Sequence, residues 1–174
     1  MELNILSLLL KAIRGFHILG ALFGTGAATL EEILYFRDIR DGKIDEWEAR
    51  QLRITYKIMR WSIITLIISG VAMVAILRFK YSPAVLYDPR LVAKYIIVGI
   101  MIINAVLIQF KKIPMSIASP LSLTSWWAES ILGRWRGLEA SLYVIMIGYF
   151  IAVVVVGLIL YNIKKLAMRP KNLP

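Results

Sequence analysis

Residues 113–135 run Ile113-Pro114-Met115-Ser116-Ile117-Ala118-Ser119-Pro120, pass through Trp126-Trp127 and the acid Glu129, and close on Leu132-Gly133-Arg134-Trp135. Whether this stretch crosses a membrane sets the number of spans. Ser at the N-cap followed by Pro at the first helical position is a helix-start signal, which Ser119-Pro120 satisfies. From Pro120 to Trp135 there are only 16 residues, short for a span that needs about 20. The apolar region from Ile113 to Gly133 has the length to cross. The stretch is therefore read as a fifth transmembrane helix over 115–135. The alternative is four spans plus an interfacial helix with a Trp-rich face.

The flanking sequence leaves four uncharged windows, 15–30, 61–77, 95–110 and 140–163. Each accommodates a span once polar ends are allowed. Hydrophobic residues make up 59% of the 174-residue chain and charged residues 18%, and mean hydropathy is +0.71. Soluble domains are closer to about 45–50% apolar and about 25% charged. The composition specifies an all-α, polytopic membrane helical bundle. It is a single membrane domain, with spans at about 3–35, 57–78, 91–110, 115–135 and 138–163 and a polar cytoplasmic segment at 36–56. Its expected partners are the lipid bilayer and either a second copy or another membrane subunit. The formal charge of +10 sits on residues that flank apolar runs, which argues against nucleic acid.

Cysteine is absent and His17 is the only histidine. Thiolate metal sites, disulfides and cysteine nucleophiles are excluded, and one chain has no second histidine to ligate a metal. The first apolar stretch carries Lys11 and Arg14 and runs on into further apolar sequence, unlike a cleaved signal peptide.

Basic residues decide orientation, since cytoplasmic loops carry the excess of Lys and Arg. Four spans divide the 21 basic residues 11 to 10. Five spans place 13 of them on the side holding residues 31–60, Lys111-Lys112 and the C-terminal tail, against 8 opposite. That side is expected to be cytoplasmic, in the cell membrane. Within it, Asp41-Gly42 signals a turn, and Asp45 with Glu48 three residues on fits an acidic capping box opening the next helix. The same stretch copies the second half of a calcium loop, but Arg37 and Ile39 occupy the first and third ligand positions.

Ionisable residues inside spans are costly and mark functional candidates. On the first span Arg14, His17, Ala21, Gly24, Ala28, Glu31 and Tyr35 follow one another at spacings of three and four, on one face. Gly20 and Gly24 give that face a small-residue stretch that admits either a neighbouring helix or a flat ligand. A neutral imidazole at His17 would ligate a haem iron or copper, move a proton, or simply bond a neighbouring helix. In a five-span up-down bundle Arg14, His17, Lys94 and Glu129 converge at one level, bordered by Arg134, Arg136 and Glu139. Lys94 and Arg134 also fit ordinary snorkelling cations. Met73, Met101 and Met146 offer thioethers but suit adaptable packing. Trp61, Trp126, Trp127, Trp135, Tyr35, Tyr56, Tyr95 and Tyr161 are expected to form aromatic belts.

The motif Lys11-Ala-Ile-Arg-Gly-Phe-His-Ile-Leu-Gly20, the opening Leu91-Val-Ala-Lys-Tyr-Ile-Ile-Val98, Asn104 and the closing Lys111-Lys-Ile-Pro114 resemble a broad set of small bacterial and archaeal membrane proteins. That set includes the small membrane protoporphyrinogen oxidase and copper-resistance D families. Ser122-Leu-Thr-Ser-Trp-Trp127 with Leu132-Gly133 and Arg136-Gly137 looks closest to an uncharacterised branch, in which this stretch reads as a membrane helix. In the oxidase family a first-helix histidine and a third-helix lysine matter for haem binding and activity, and His17 and Lys94 match those positions.

Three functions follow as expectations. The first is binding of a b-type haem or porphyrin for electron transfer or porphyrin redox chemistry. It would use His17 as metal ligand, Lys94 as second ligand or propionate partner, Arg14 as counter-charge and Gly24 for close approach. The second is proton-coupled or metal-ion transport through the cluster that includes Glu129 and Arg134. The third is a cofactor-free membrane interaction subunit.

Overall fold

The computed structural model describes residues 2–39, 43, 45–80, 86–135, 137 and 139–167. Among them are five helices and no strand: α1 (Glu2–Asp38), α2 (Glu46–Lys80), α3 (Pro89–Gln109), α4 (Met115–Arg134) and α5 (Leu142–Ala167). Local chemistry sets their ends. The capping box at the start of α2 forms reciprocally, Asp45 N–H donating to Glu48 Oε2 at 2.8 Å and Glu48 N–H to Asp45 Oδ1 at 2.7 Å. Asp41-Gly42 and Arg136 fall outside the described residues. At α3, Asp88 caps Arg90 N–H at 2.8 Å with Pro89 in the first turn. Its other end closes through Lys111 in the left-handed region, φ 53°. There Lys111 N–H bonds Ile108 O and Lys112 N–H bonds Leu107 O, so two carbonyls left over by the helix are satisfied.

The Ser119-Pro120 start signal is overridden. α4 begins one turn earlier, at Met115 after Pro114, and Pro120 lies inside it. Lying past the first turn, the proline gives no N–H to the Ser116 carbonyl, and its ring packs against Gly157 of α5, where a Cβ would sit 3.7 Å away.

Side-chain pairings fix the directions. His17 meets Ser69, Gly20 meets Ser62 and Thr65, and Arg37 meets Gln51, so α1 and α2 are antiparallel. α4 runs against three helices at once. Thr25 pairs with Ser130 and Glu32 with Ser119 on α1, while Arg90 pairs with Trp135 O and Asn104 with Ala118 O on α3. On α5, Tyr149 pairs with Ser125 and Gly157 with Pro120. The result is an up-down bundle in which the α1–α2 connection, the α3–α4 turn and the end of α5 share one end.

α1, α2, α3 and α5 are each long and apolar enough to cross a membrane. α4 is not among those four. It lies antiparallel alongside α3 and also packs on α1 and α5, with Ile117, Trp127 and Ile131 left about half exposed on its outer face. The exterior is unusually apolar, and polar groups share the interior with an apolar core of Met59, Leu66, Ile97, Met101 and Trp126. Outward residues such as Phe16, Phe23, Ile68, Val154 and Leu158 are more than half exposed. Among the described residues the buried set includes Thr25, Glu32, Asn104, Thr124, Ser125 and Glu129. An apolar exterior around buried polar groups is the arrangement a bilayer favours.

Candidate functional site

The site is built on the inner face of α4. At 100° per residue, Ala118, Ser125 and Glu129 fall within one narrow stripe, turned toward α3 and α5. Ser125 Oγ lies 2.8 Å from the Tyr149 hydroxyl of α5. Glu129, only 3% exposed, has Oε2 3.6 Å from Lys94 Nζ of α3. At that distance the contact is an ion pair rather than a hydrogen bond. Among the described residues Glu129 Oε1 has no hydrogen-bond partner. Gly133, one turn further along α4, leaves room for the ammonium, since even a Cβ there would lie 3.7 Å from Nζ.

His17 reaches the same level from α1. Its Nδ1 is 3.0 Å from Ser69 Oγ, and its ring lies over Gly70 of α2. The hydroxyl hydrogen of Ser69 is committed to Thr65 O at 2.5 Å. Ser69 Oγ therefore accepts from His17 Nδ1–H, which makes Nε2 the lone-pair nitrogen of the neutral ring. The ring also reaches the Leu66 backbone on α2, and Lys94 lies near enough to act on it electrostatically.

The residues singled out in the sequence divide into two groups. Lys94 and Glu129 meet, with His17 beside them. Arg14 and Arg134 are exposed and form no ion pair among the described residues. Gly24 is buried against the six-membered ring of Trp126, whose atoms a Cβ would overlap. The close approach that the small-residue face permits is thus made by the protein's own indole. Trp126, 3% exposed, belongs to the core and not to an aromatic belt. Among the described residues no three His, Cys, Asp or Glu side chains cluster as a metal-holding group.

Glu32 and Asn104 were not among the candidate site residues, although Asn104 stands in the motif that carries the resemblance. Glu32, 7% exposed, takes a short hydrogen bond from Ser119 Oγ, and Asn104 donates Nδ2–H to Ala118 O at 2.9 Å while its Oδ1 has no hydrogen-bond partner among the described residues. A signal for Glu32 was present: Gly20, Gly24, Ala28 and Glu32 recur every four residues, so the small-residue stripe leads straight to it. The adjacent Glu31 obscured this, being on the three-and-four spacing that begins at Arg14.

No protein-family model, curated protein or solved structure matches the chain.

Proposed function

We propose that the protein carries protons, alone or coupled to another ion, through the interior of the bundle. It would do so in the cell membrane with the C-terminus in the cytoplasm, as the larger basic count of that end favours. The observation that carries the reading is the Lys94–Glu129 pair, buried in a layer where an unneutralised charge is costly, with one carboxylate oxygen left without a hydrogen-bond partner among the described residues. That oxygen is where a proton would be taken up. Protonation of Glu129 removes the attraction that holds Lys94, and the Nε2 lone pair of His17 offers a second acceptor at the same level. A donor set of one carboxylate, one imidazole and one ammonium suits a proton better than a metal cation, which the ammonium repels.

The test is a proton-flux assay in proteoliposomes loaded with a pH-sensitive dye, with potassium and valinomycin setting the potential. Wild type should acidify or alkalinise the lumen in the direction of the potential, and Glu129→Gln should abolish the response. Equal flux in both would refute the role of the pair.

A second reading, ligation of a haem or porphyrin, is favoured by one observation. Anchoring Nδ1–H while leaving the lone pair on Nε2 is how metal-bound imidazoles are held. His17 would be the axial ligand, with Lys94 and Arg14 as the nearby cations. The small-residue face does not fit the macrocycle, because Trp126 covers Gly24 and the α2 backbone closes on Gly20. Oxidised and dithionite-reduced spectra after haem loading, beside His17→Ala, separate the readings. A Soret band lost in the variant supports haem, and a colourless protein that still passes protons rejects it.

A further inference from the structure

Glu32 poses a problem that Glu129 does not. It is buried, yet no Lys or Arg pairs with it among the described residues, and its carboxyl is held by Ser119 Oγ. The charged groups at its level are Glu31, beside it in the chain, and Lys164 of α5, whose Nζ is taken up by the Tyr35 hydroxyl at 3.2 Å. Arg60 of α2 is bound to Gln109 at 2.9 Å, and α4 and α3 present Ser119 and Asn104, which carry no charge. A buried carboxylate without a cation must hold a proton or leave the interior.

Between the two acids the mainly apolar interior carries a few polar groups. Ser119 precedes Glu129 by ten residues, about 15 Å of helix axis. At a level between them a cavity of about 70 Å³ opens between α2, α3 and α4, where Asn104, Ser122 and Tyr56 interrupt a mainly apolar wall that neither acid lines. Asn104 Oδ1, on its wall, is buried without a hydrogen-bond partner among the described residues. The volume has room for about two waters at roughly 30 Å³ each, and unpartnered buried oxygens are what such waters satisfy.

We infer that Glu32, held by Ser119, is a second proton-carrying site at the opposite end of the bundle from Glu129, with the Asn104 cavity holding water at a level between them. The inference rests on the proton-transport reading for its direction, and for the proton itself on the burial of Glu32 and on the absence of an ion-pairing cation among the described residues. The two acids would then be the entry and exit carriers of one route, with Glu129 neutralised by Lys94 and Glu32 by its own proton.

Infrared difference spectroscopy of the protein in lipid nanodiscs reads this directly through the C=O stretch of protonated carboxyls, which shifts in deuterium oxide. At neutral pH wild type should show such a band, Glu32→Gln should lack its component, and Ser119→Ala should move that component to higher frequency. Glu32→Gln keeps the size of the side chain, and Ser119→Ala leaves Glu32 in place, so loss of fold in one does not silence the other. A band unchanged in both variants overturns the proton on Glu32. In the liposome assay Glu32→Gln should slow flux at least tenfold. Flux lost in Glu129→Gln but kept in Glu32→Gln overturns the shared route while leaving the functional reading intact. A wild type without flux overturns the reading and the route together, and the infrared band still decides the protonation of Glu32.

Discussion

Trp126 shows how one side chain can be misplaced by a rule that is right on average. Large aromatics near span ends gather at the interface, and Trp127 and Trp135 are about half exposed. Trp126 instead turns inward because Gly24 leaves a recess only an unsubstituted backbone permits. Gly24→Ala should overpack this contact and cost about 1–3 kcal/mol, with a change in tryptophan fluorescence. Trp126→Leu in the same chain should recover most of the loss in a denaturant titration. At the start of α3, hydrogen bonds from Arg90 hold the Asp88 carboxyl below the usual carboxylate range. A folded value lower than the unfolded one means the cap contributes fully above the ordinary carboxylate range and is lost as pH falls through the depressed value. Asp88→Asn should keep the N-cap oxygen and remove that acid sensitivity. Asp88→Ala should cost roughly 0.5–2 kcal/mol at neutral pH, both read from unfolding midpoints across a pH series.

At the level of elements, the four apolar helices were legible because nothing but a run of about 20 uncharged residues is needed to recognise them. α4 was harder for a physical reason. Its serines, threonine and Glu129 lower its hydropathy, and the side that packs on protein has no need of a lipid-compatible surface. The convergence of Lys94 with Glu129 followed from treating α4 as a fifth antiparallel element. Glu32 and Asn104 were passed over as site residues because their partners, Ser119 and the Ala118 carbonyl, carry no signature of their own. If the Lys94–Glu129 pair is a true buried ion pair, removing one member strands the other. Lys94→Met or Glu129→Leu alone should each cost about 3–5 kcal/mol, whereas the double variant should be near wild type in stability. A double-mutant cycle by unfolding in mixed micelles measures the coupling, and additive losses would show that the two charges act independently.

At the scale of the whole molecule, the alternation of the five helices makes a labelling experiment decisive, and the cysteine-free chain is a ready background for it. Glu46→Cys and Ser116→Cys should react with a membrane-impermeant thiol reagent from one side, and Tyr87→Cys and Arg134→Cys from the other. Ser116 and Arg134 labelling from the same side would place α4 at the interface instead of through it. On α4, Glu129 lies on the face turned toward α3, while Glu32 of α1 meets the helix at Ser119, nearer its other end. The most direct measurement of proton movement is the current carried by the purified protein across a planar bilayer under an imposed pH gradient. The reversal potential should follow the proton gradient, stay fixed when sodium, potassium or chloride is varied, and the current should vanish in Glu129→Gln. A current that tracks another ion, or one that survives in that variant, would contradict proton conduction through the Lys94–Glu129 site.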